Sequence, residues 1–134
     1  MVLGALGLIA LFFLTMPNSR LKHARLSRKR AAIDAERFEH LMEEANVSFT
    51  TARFLWTDLK AFYHPPLQPR PNDGLEKMIG IDRPEIEAMV TRFWSAMRGS
   101  DPLPRHFPLK NDPTVAELGR HLDQMAGWSA RRAA

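Results

Sequence analysis

The chain has 134 residues, of which 45% are hydrophobic and 25% charged, enough for one small domain with appendages. It contains no cysteine, which excludes disulfides, thiolate zinc sites and thiol catalysis. The formal net charge of +4 is a local feature: Arg20, Lys22, Arg25, Arg28, Lys29 and Arg30 all precede the first acid, Asp34, and the rest of the chain carries a small acidic excess. That distribution argues against a protein that coats nucleic acid over its whole surface.

The first segment, Val2 to Met16, carries no charge and a single polar side chain, Thr15, before Pro17. As a helix it rises about 22 Å, short of the roughly 30 Å of bilayer hydrocarbon. A cleaved secretory signal is the competing reading. No Lys or Arg precedes the apolar stretch, however, no small-x-small site follows it, and a dense basic block comes next. We therefore expect residues 1–17 to be a membrane anchor. The positive-inside rule then puts the N-terminus outside and the following domain in the cytoplasm, at the inner membrane. Residues 18–46 are expected to form one exposed charged helix, basic first and acidic towards Glu43-Glu44. The six basic residues suit an anionic membrane surface, at about 1 kcal/mol per near-surface cation. A solvated stalk explains its acidic half equally well. The basic run has no interleaved aromatic residues, so it does not read as a nucleic-acid patch.

From residue 47 to 127 the pattern is helix, long loop, helix, irregular segment, helix. Phe54, Leu55, Leu59 and Phe62 fall at helical spacing, with Trp56 and Tyr63 at the margins. Pro65-Pro66 stops that helix, and Pro69 and Pro71 keep the next loop extended. Asp82 caps a second helix, Glu85 stands three residues on in a capping-box position, and Arg83-Pro84 fill the first turn. Apolar positions at Ile86, Met89, Val90, Phe93, Trp94 and Met97 follow, and Gly99 ends it. Thr114 and Glu117 open a last helix through Val115, Leu118, Leu122 and Met125, with His121 on its rim. The expected core includes Phe54, Leu59, Ile86, Val90, Phe93, Leu118 and Leu122. Residues 128–134 form a basic tail.

These fragments resemble, in order and spacing, an acyl carrier protein domain over residues 47 to 127. Thr50 to Tyr63 matches the family's first helix, and Asp73 to Gly80 the loop into the second. Thr114-Val115-Ala116-Glu117-Leu118 is similar to the opening of its last helix. Gly80-Ile81-Asp82 matches the family's entry to the second helix, where the next residue is the serine that carries phosphopantetheine. Here that residue is Arg83, whose guanidinium offers no nucleophilic hydroxyl. Pro84 also replaces the family's leucine, and Asp101-Pro102-Leu103-Pro104 makes the third segment proline-rich. The resemblance implies an all-α fold, a small three- or four-helix bundle, with no cofactor attached. In the family the second helix docks partner enzymes, which makes Asp82, Arg83, Glu85, Glu87 and Arg92 the candidate partner-binding residues, Arg83 facing an anionic group of the partner.

A search for catalytic or metal constellations yields little. His23, His40, His64, His106 and His121 are scattered. Glu36, His40 and Glu43 share a helix face, but a di-iron bundle needs paired Glu-x-x-His motifs and the sequence has none. There is no glycine-rich phosphate loop, and Ser95, Ser100 and Ser129 have no evident base. Met78, Met89, Met97 and Met125 with Phe93 and Trp94 read as core rather than as an acyl-chain cavity, because helical periodicity accounts for them. The sequence thus points to a membrane-tethered, non-catalytic interaction module that docks a partner protein. The alternative is an accessory protein of lipid or acyl metabolism that binds an acyl chain or headgroup non-covalently.

Overall fold

The computed structural model describes residues 17–28, 30–103 and 109–127, with side chains from Leu21 onward. Among the described residues there are five α-helices: α1 (Pro17–Arg28), α2 (Ala35–Glu44), α3 (Phe49–Leu59), α4 (Arg83–Arg98) and α5 (Val115–Met125). A 3₁₀ turn (Lys60–Phe62) extends α3, and a π-helical turn (Leu75–Ile79) precedes α4. The architecture is all-α. Among the described residues the only β pairing is an isolated bridge between Gly74 and Thr114.

One core joins every helix except α1. Phe38 and Met42 from α2, Leu55 and Leu59 from α3, Met89 and Phe93 from α4, and Leu118 and Leu122 from α5 have no accessible surface. Leu75 and Ile81 close it from the segment before α4. The expected core positions Leu59, Ile86, Val90, Phe93, Leu118 and Leu122 are buried; Phe54 is half-buried and packs its ring edge-on against Phe93, centroids 5.2 Å apart. Trp56 and Tyr63, expected at the margins of their helix, are buried too.

The single exposed helix expected over residues 18–46 is instead two helices folded onto the domain. Residues 30–34 break it, and Asp34 caps α2 by accepting from the Arg37 N–H. The physical reason is the Phe38, Leu41, Met42 spacing, which gives α2 an apolar face too large to leave in water; Phe38 and Met42 are wholly buried. Val2 to Met16, the expected anchor, lies outside the described residues, as do Lys29 and residues 128–134. Among the described residues no helix is long and apolar enough to cross a membrane.

Helix ends follow the sequence closely. Asp82 accepts from the Glu85 N–H at 3.1 Å, although the reciprocal half of the expected box is not formed. Thr114 and Glu117 complete a full capping box. Gly80 takes a left-handed conformation, φ 91°, that lets its N–H return to Leu75 O and turns the chain into α4.

Packing is tightest where α5 meets the α2–α3 corner. A β-carbon on Gly119 would stand 2.8 and 2.9 Å from the two methyls of Val47 and 3.0 Å from Met42 Cε. Gly119→Ala should therefore destabilise by about 1–3 kcal/mol despite alanine's better helix propensity. Phe93→Ala, which empties the centre of the core, should cost about 3–5 kcal/mol. Denaturant unfolding of both variants checks the two figures; a wild-type midpoint for Phe93→Ala would mean that α4 is packed in a different phase.

Candidate functional site

The entry to α4 is built by two segments distant in sequence. Glu76 and Asp112 bond each other's backbones: Asp112 Oδ1 accepts from Glu76 N at 3.0 Å and Lys77 N at 3.2 Å, and Glu76 Oε1 accepts from Asp112 N at 3.1 Å. The Leu75 N–H donates to Pro113 O, and Val115 N–H to Asp73 O. The π-helical turn, the start of α4 and the start of α5 are thus tied at one end of the bundle.

Arg83 lies in that knot. Its guanidinium donates to Leu109 O and, at 3.1 Å, to Lys110 O, and it sits 3.8 Å from both the Glu76 and Glu87 carboxylates. We expected this cation to face an anion on a partner. The structure turns it inward onto two backbone carbonyls, because the 109–110 strand of chain passes over the first turn of α4. Two carboxylates beside it offset the unfavourable end of the helix dipole.

The other expected docking residues spread over the exposed side of α4. Asp82 is occupied in capping. Glu85 and Glu87 are exposed. Arg92 makes a two-pronged ion pair with Asp58 of α3, at 3.1 and 2.8 Å. The hydrogen bond to Asp58 raises the Arg92 pKa, with smaller help from the charges of Asp58 and Glu85. With Arg83 paired to Glu76 and Glu87 and Arg92 to Asp58, the first two turns of this helix show solvent the carboxylates of Glu85 and Glu87.

Beside α4 runs a groove of about 400 Å³ walled by Ile86, Val90, Leu103, Leu109 and His121. His121 is buried, not on a rim as expected, because it stands three residues after Leu118 on the inward stripe of α5. Met89 and Phe93, weighed as an acyl-cavity lining, are sealed in the core.

The basic residues divide by helix face. Lys22, Arg25 and Arg28 are exposed, while the side of α1 bearing His23 and Ser27, and Arg30 beyond its end, face the domain. Arg30 is not free for a membrane: it forms an ion pair with the buried Asp73, donating from both terminal nitrogens. The side chain of Arg20 and all of Lys29 lie outside the described residues.

The polar residues that organise this surface were missed from sequence. Asp73, 1% exposed, also accepts from the Tyr63 hydroxyl at 2.6 Å and from Arg70 N at 3.0 Å. Burial pushes the Tyr63 phenol pKa well up, and the adjacent carboxylate pushes it further, so Tyr63 acts as a fixed donor. Asp123 accepts from Ser48 N, Ser48 Oγ and Thr51 Oγ1, locking the start of α3 to α5. His23 has no exposed surface and uses both ring nitrogens. Among the described residues no group of three or more His, Cys, Asp or Glu is placed to hold a metal ion.

Comparison with protein-family models, curated proteins and solved structures gave no match for this chain.

Two substitutions test the assignments. Arg83→Ala should lower stability by about 1–2 kcal/mol, the worth of charge-assisted hydrogen bonds reduced by partial exposure. Asp73→Asn should cost about 3 kcal/mol or more, since it leaves Arg30 without its counter-charge in a largely buried site. Thermal and urea unfolding read both, and an unchanged Arg83→Ala midpoint would return that guanidinium to the role of an outward-facing contact.

Proposed function

We propose that this chain is a membrane-tethered, non-catalytic interaction module that docks a partner protein on the exposed face of α4 and carries no phosphopantetheine arm. The observation that carries the reading is the build of the α4 entry. A left-handed Gly80, an aspartate cap and a helix with one buried face support this reading, and the position after the cap holds an arginine bonded to backbone. No phosphodiester can form on that side chain. The nearest helix hydroxyl, Thr91, donates to Glu87 O within the helix itself.

Charge then describes the partner. Arg83 is paired with Glu76 and Glu87 and Arg92 with Asp58, so both cations are offset while Glu85 and the largely exposed Glu87 face outward, and the docking face suits a cationic surface. Tethering rests on Val2 to Met16 and on the outward row Lys22, Arg25 and Arg28, which suits an anionic membrane with the N-terminus outside and the domain cytoplasmic. An acyl- or headgroup-binding role draws on the groove beside α4. Its polar rim supports that role less well, since the Arg83 guanidinium is spent on carbonyls and flanked by Glu76 and Glu87.

Detergent extraction from the native host, with the whole chain as bait, supplies the test. A protein with a basic surface should be recovered with wild type and reduced at least about tenfold by Glu85→Lys with Glu87→Lys, in keeping with like charges placed opposite each other. Equal recovery would move the docking site off α4. Intact mass of the native protein should show no phosphopantetheine increment, and an adduct on any serine would reverse the non-carrier reading.

A further inference from the structure

We propose that α1 is a releasable strap, held on the domain by neutral His23 and set free when the His23 imidazole takes up a proton. The contact differs in kind from those of the other helices. α1 contributes no residue to the fully buried apolar core; its inward positions are His23, the half-buried Leu26 and Ser27, and Arg30 just beyond its end. At the centre stands an imidazole with no accessible surface, bridging two segments. Nε2 lies 2.8 Å from Ile79 O of the π-helical turn, and Nδ1 receives the His64 N–H at 3.0 Å.

A carbonyl can only accept and an amide N–H can only donate. The two bonds therefore fix the ring as the neutral tautomer with its proton on Nε2. A second proton has only Nδ1 to occupy, where it would point at the His64 N–H. The bridge to His64 would be lost and two donors would face each other inside the protein. Protonation and docking are thus mutually exclusive at this atom.

The surroundings reinforce the exclusion. From the segment after α3, the His64 ring stands 4.9 Å and the Tyr63 ring 5.8 Å from the imidazole. Burial is the main influence lowering the His23 pKa; the bond to Ile79 opposes it, the charges of His64 and Arg30 lower it further, and Asp73 raises it. Asp73 gives limited relief, being already engaged by Arg30 and Tyr63. On the π-helical turn, Glu76 is turned to Asp112 and Arg83, and Lys77 is exposed. The cations of α1 itself, Lys22, Arg25 and Arg28, face away into solvent.

The sign follows from linkage. The docked ring binds its proton less readily than the free one, whose ordinary pKa is 6.5. Docking is fully stabilised above about pH 6.5 and weakens as pH falls through that value towards the lower pKa of the docked ring. Between about pH 7.5 and about pH 5.5, uptake of one proton on release lowers the docking constant by up to about tenfold. The strap joins the apolar N-terminal segment to the body, so its release would lengthen the reach of the domain from that segment. The inference stands on the α1 contact alone and is independent of the docking face on α4.

Amide hydrogen exchange on the full chain in neutral detergent micelles tests it, read at the His64 N–H. After correction for intrinsic rate, its protection should fall by up to about tenfold from about pH 7.5 to about pH 5.5. Protection of the Leu122 N–H, inside α5, should hold over the same range. His23→Gln, which does not titrate, should keep at low pH whatever His64 protection it shows at high pH. A constant wild-type value would overturn the strap, as would a fall that persists in His23→Gln. A parallel loss at Leu122 would also overturn it, by showing that the whole domain opens rather than α1 alone.

Discussion

The carboxylate of Asp73 is the constraint on which the arrangement depends. Nearly sealed from solvent, it gathers the guanidinium of Arg30 beyond α1, the hydroxyl of Tyr63 after α3 and the N–H of Arg70 in the proline-rich loop. Its own carbonyl accepts from Val115 at the start of α5. Arg30, Tyr63 and Val115, from three separate parts of the chain, therefore converge with the local Arg70 N–H on one residue. A buried charge is costly unless its lone pairs are filled by well-placed donors, and here they are. Between Tyr63 and Leu75 the proline-bearing connection from α3 to α4 buries Leu67 as its one large aliphatic side chain, so this polar hub gives that stretch a defined course. That course in turn sets the π-helical turn against α1 and the Gly80 turn at the head of α4.

Polar pairing of this kind explains which parts of the molecule could be read from sequence. Helix periodicity and capping are local, and α4, α5, their caps and most of the core were legible from spacing within one or two turns. Asp73 and Arg30 are separated by 43 positions, and Asp123 and Ser48 by 75. Nothing near either residue announces the partner. Arg30 reads as the last member of a basic run because its neighbours are basic, yet it lies beyond the end of α1 and turns to Asp73 while Lys22, Arg25 and Arg28 stay exposed. His23 was hidden in the same run. Phe38 and Met42 were legible, four residues apart on one face, but the charge density of the segment drew the reading towards a solvated stalk. His121 was legible in the same way, three residues beyond Leu118.

Arg83 shows how tertiary context changes the meaning of a motif position. In isolation a cation in the first turn of a helix is mildly unfavourable, by about 0.3–1 kcal/mol, which invites an external explanation. The fold supplies an internal one. Carbonyls of Leu109 and Lys110, lying in a segment that packs over the helix start, need donors, and a guanidinium reaches both. The residue that removes any possibility of a prosthetic arm at this position is thus also a clamp that closes the end of the bundle. A flexible arm and a fixed clamp between distant segments make opposite demands on the same turn, and here the turn holds the clamp.

The division between α1 and α2 has a further consequence for how the domain is bounded. Burial of Phe38 and Met42 makes α2 part of the core, so the packed body includes the chain from near Asp34 and not only the 47–127 stretch matched by the resemblance. α1 lies outside that body and is joined to it mainly through the hydrogen bonds of His23 and the Arg30–Asp73 ion pair just beyond its end, with the half-buried Leu26 as its apolar contact. Apolar contacts weaken gradually with conditions, because they depend on area. A contact made through an imidazole and a guanidinium depends on the protonation and pairing of a few atoms and can be removed whole. The exposed side of α1 bears Lys22, Arg25 and Arg28 whether or not the helix is docked, so in the proposed tethered arrangement a membrane surface would hold the helix in both states. What changes on release is the link from helix to body, and with it the orientation of α4 relative to that surface. A docking face on α4 would then be presented at a fixed angle while His23 is neutral and over a range of angles once it is charged.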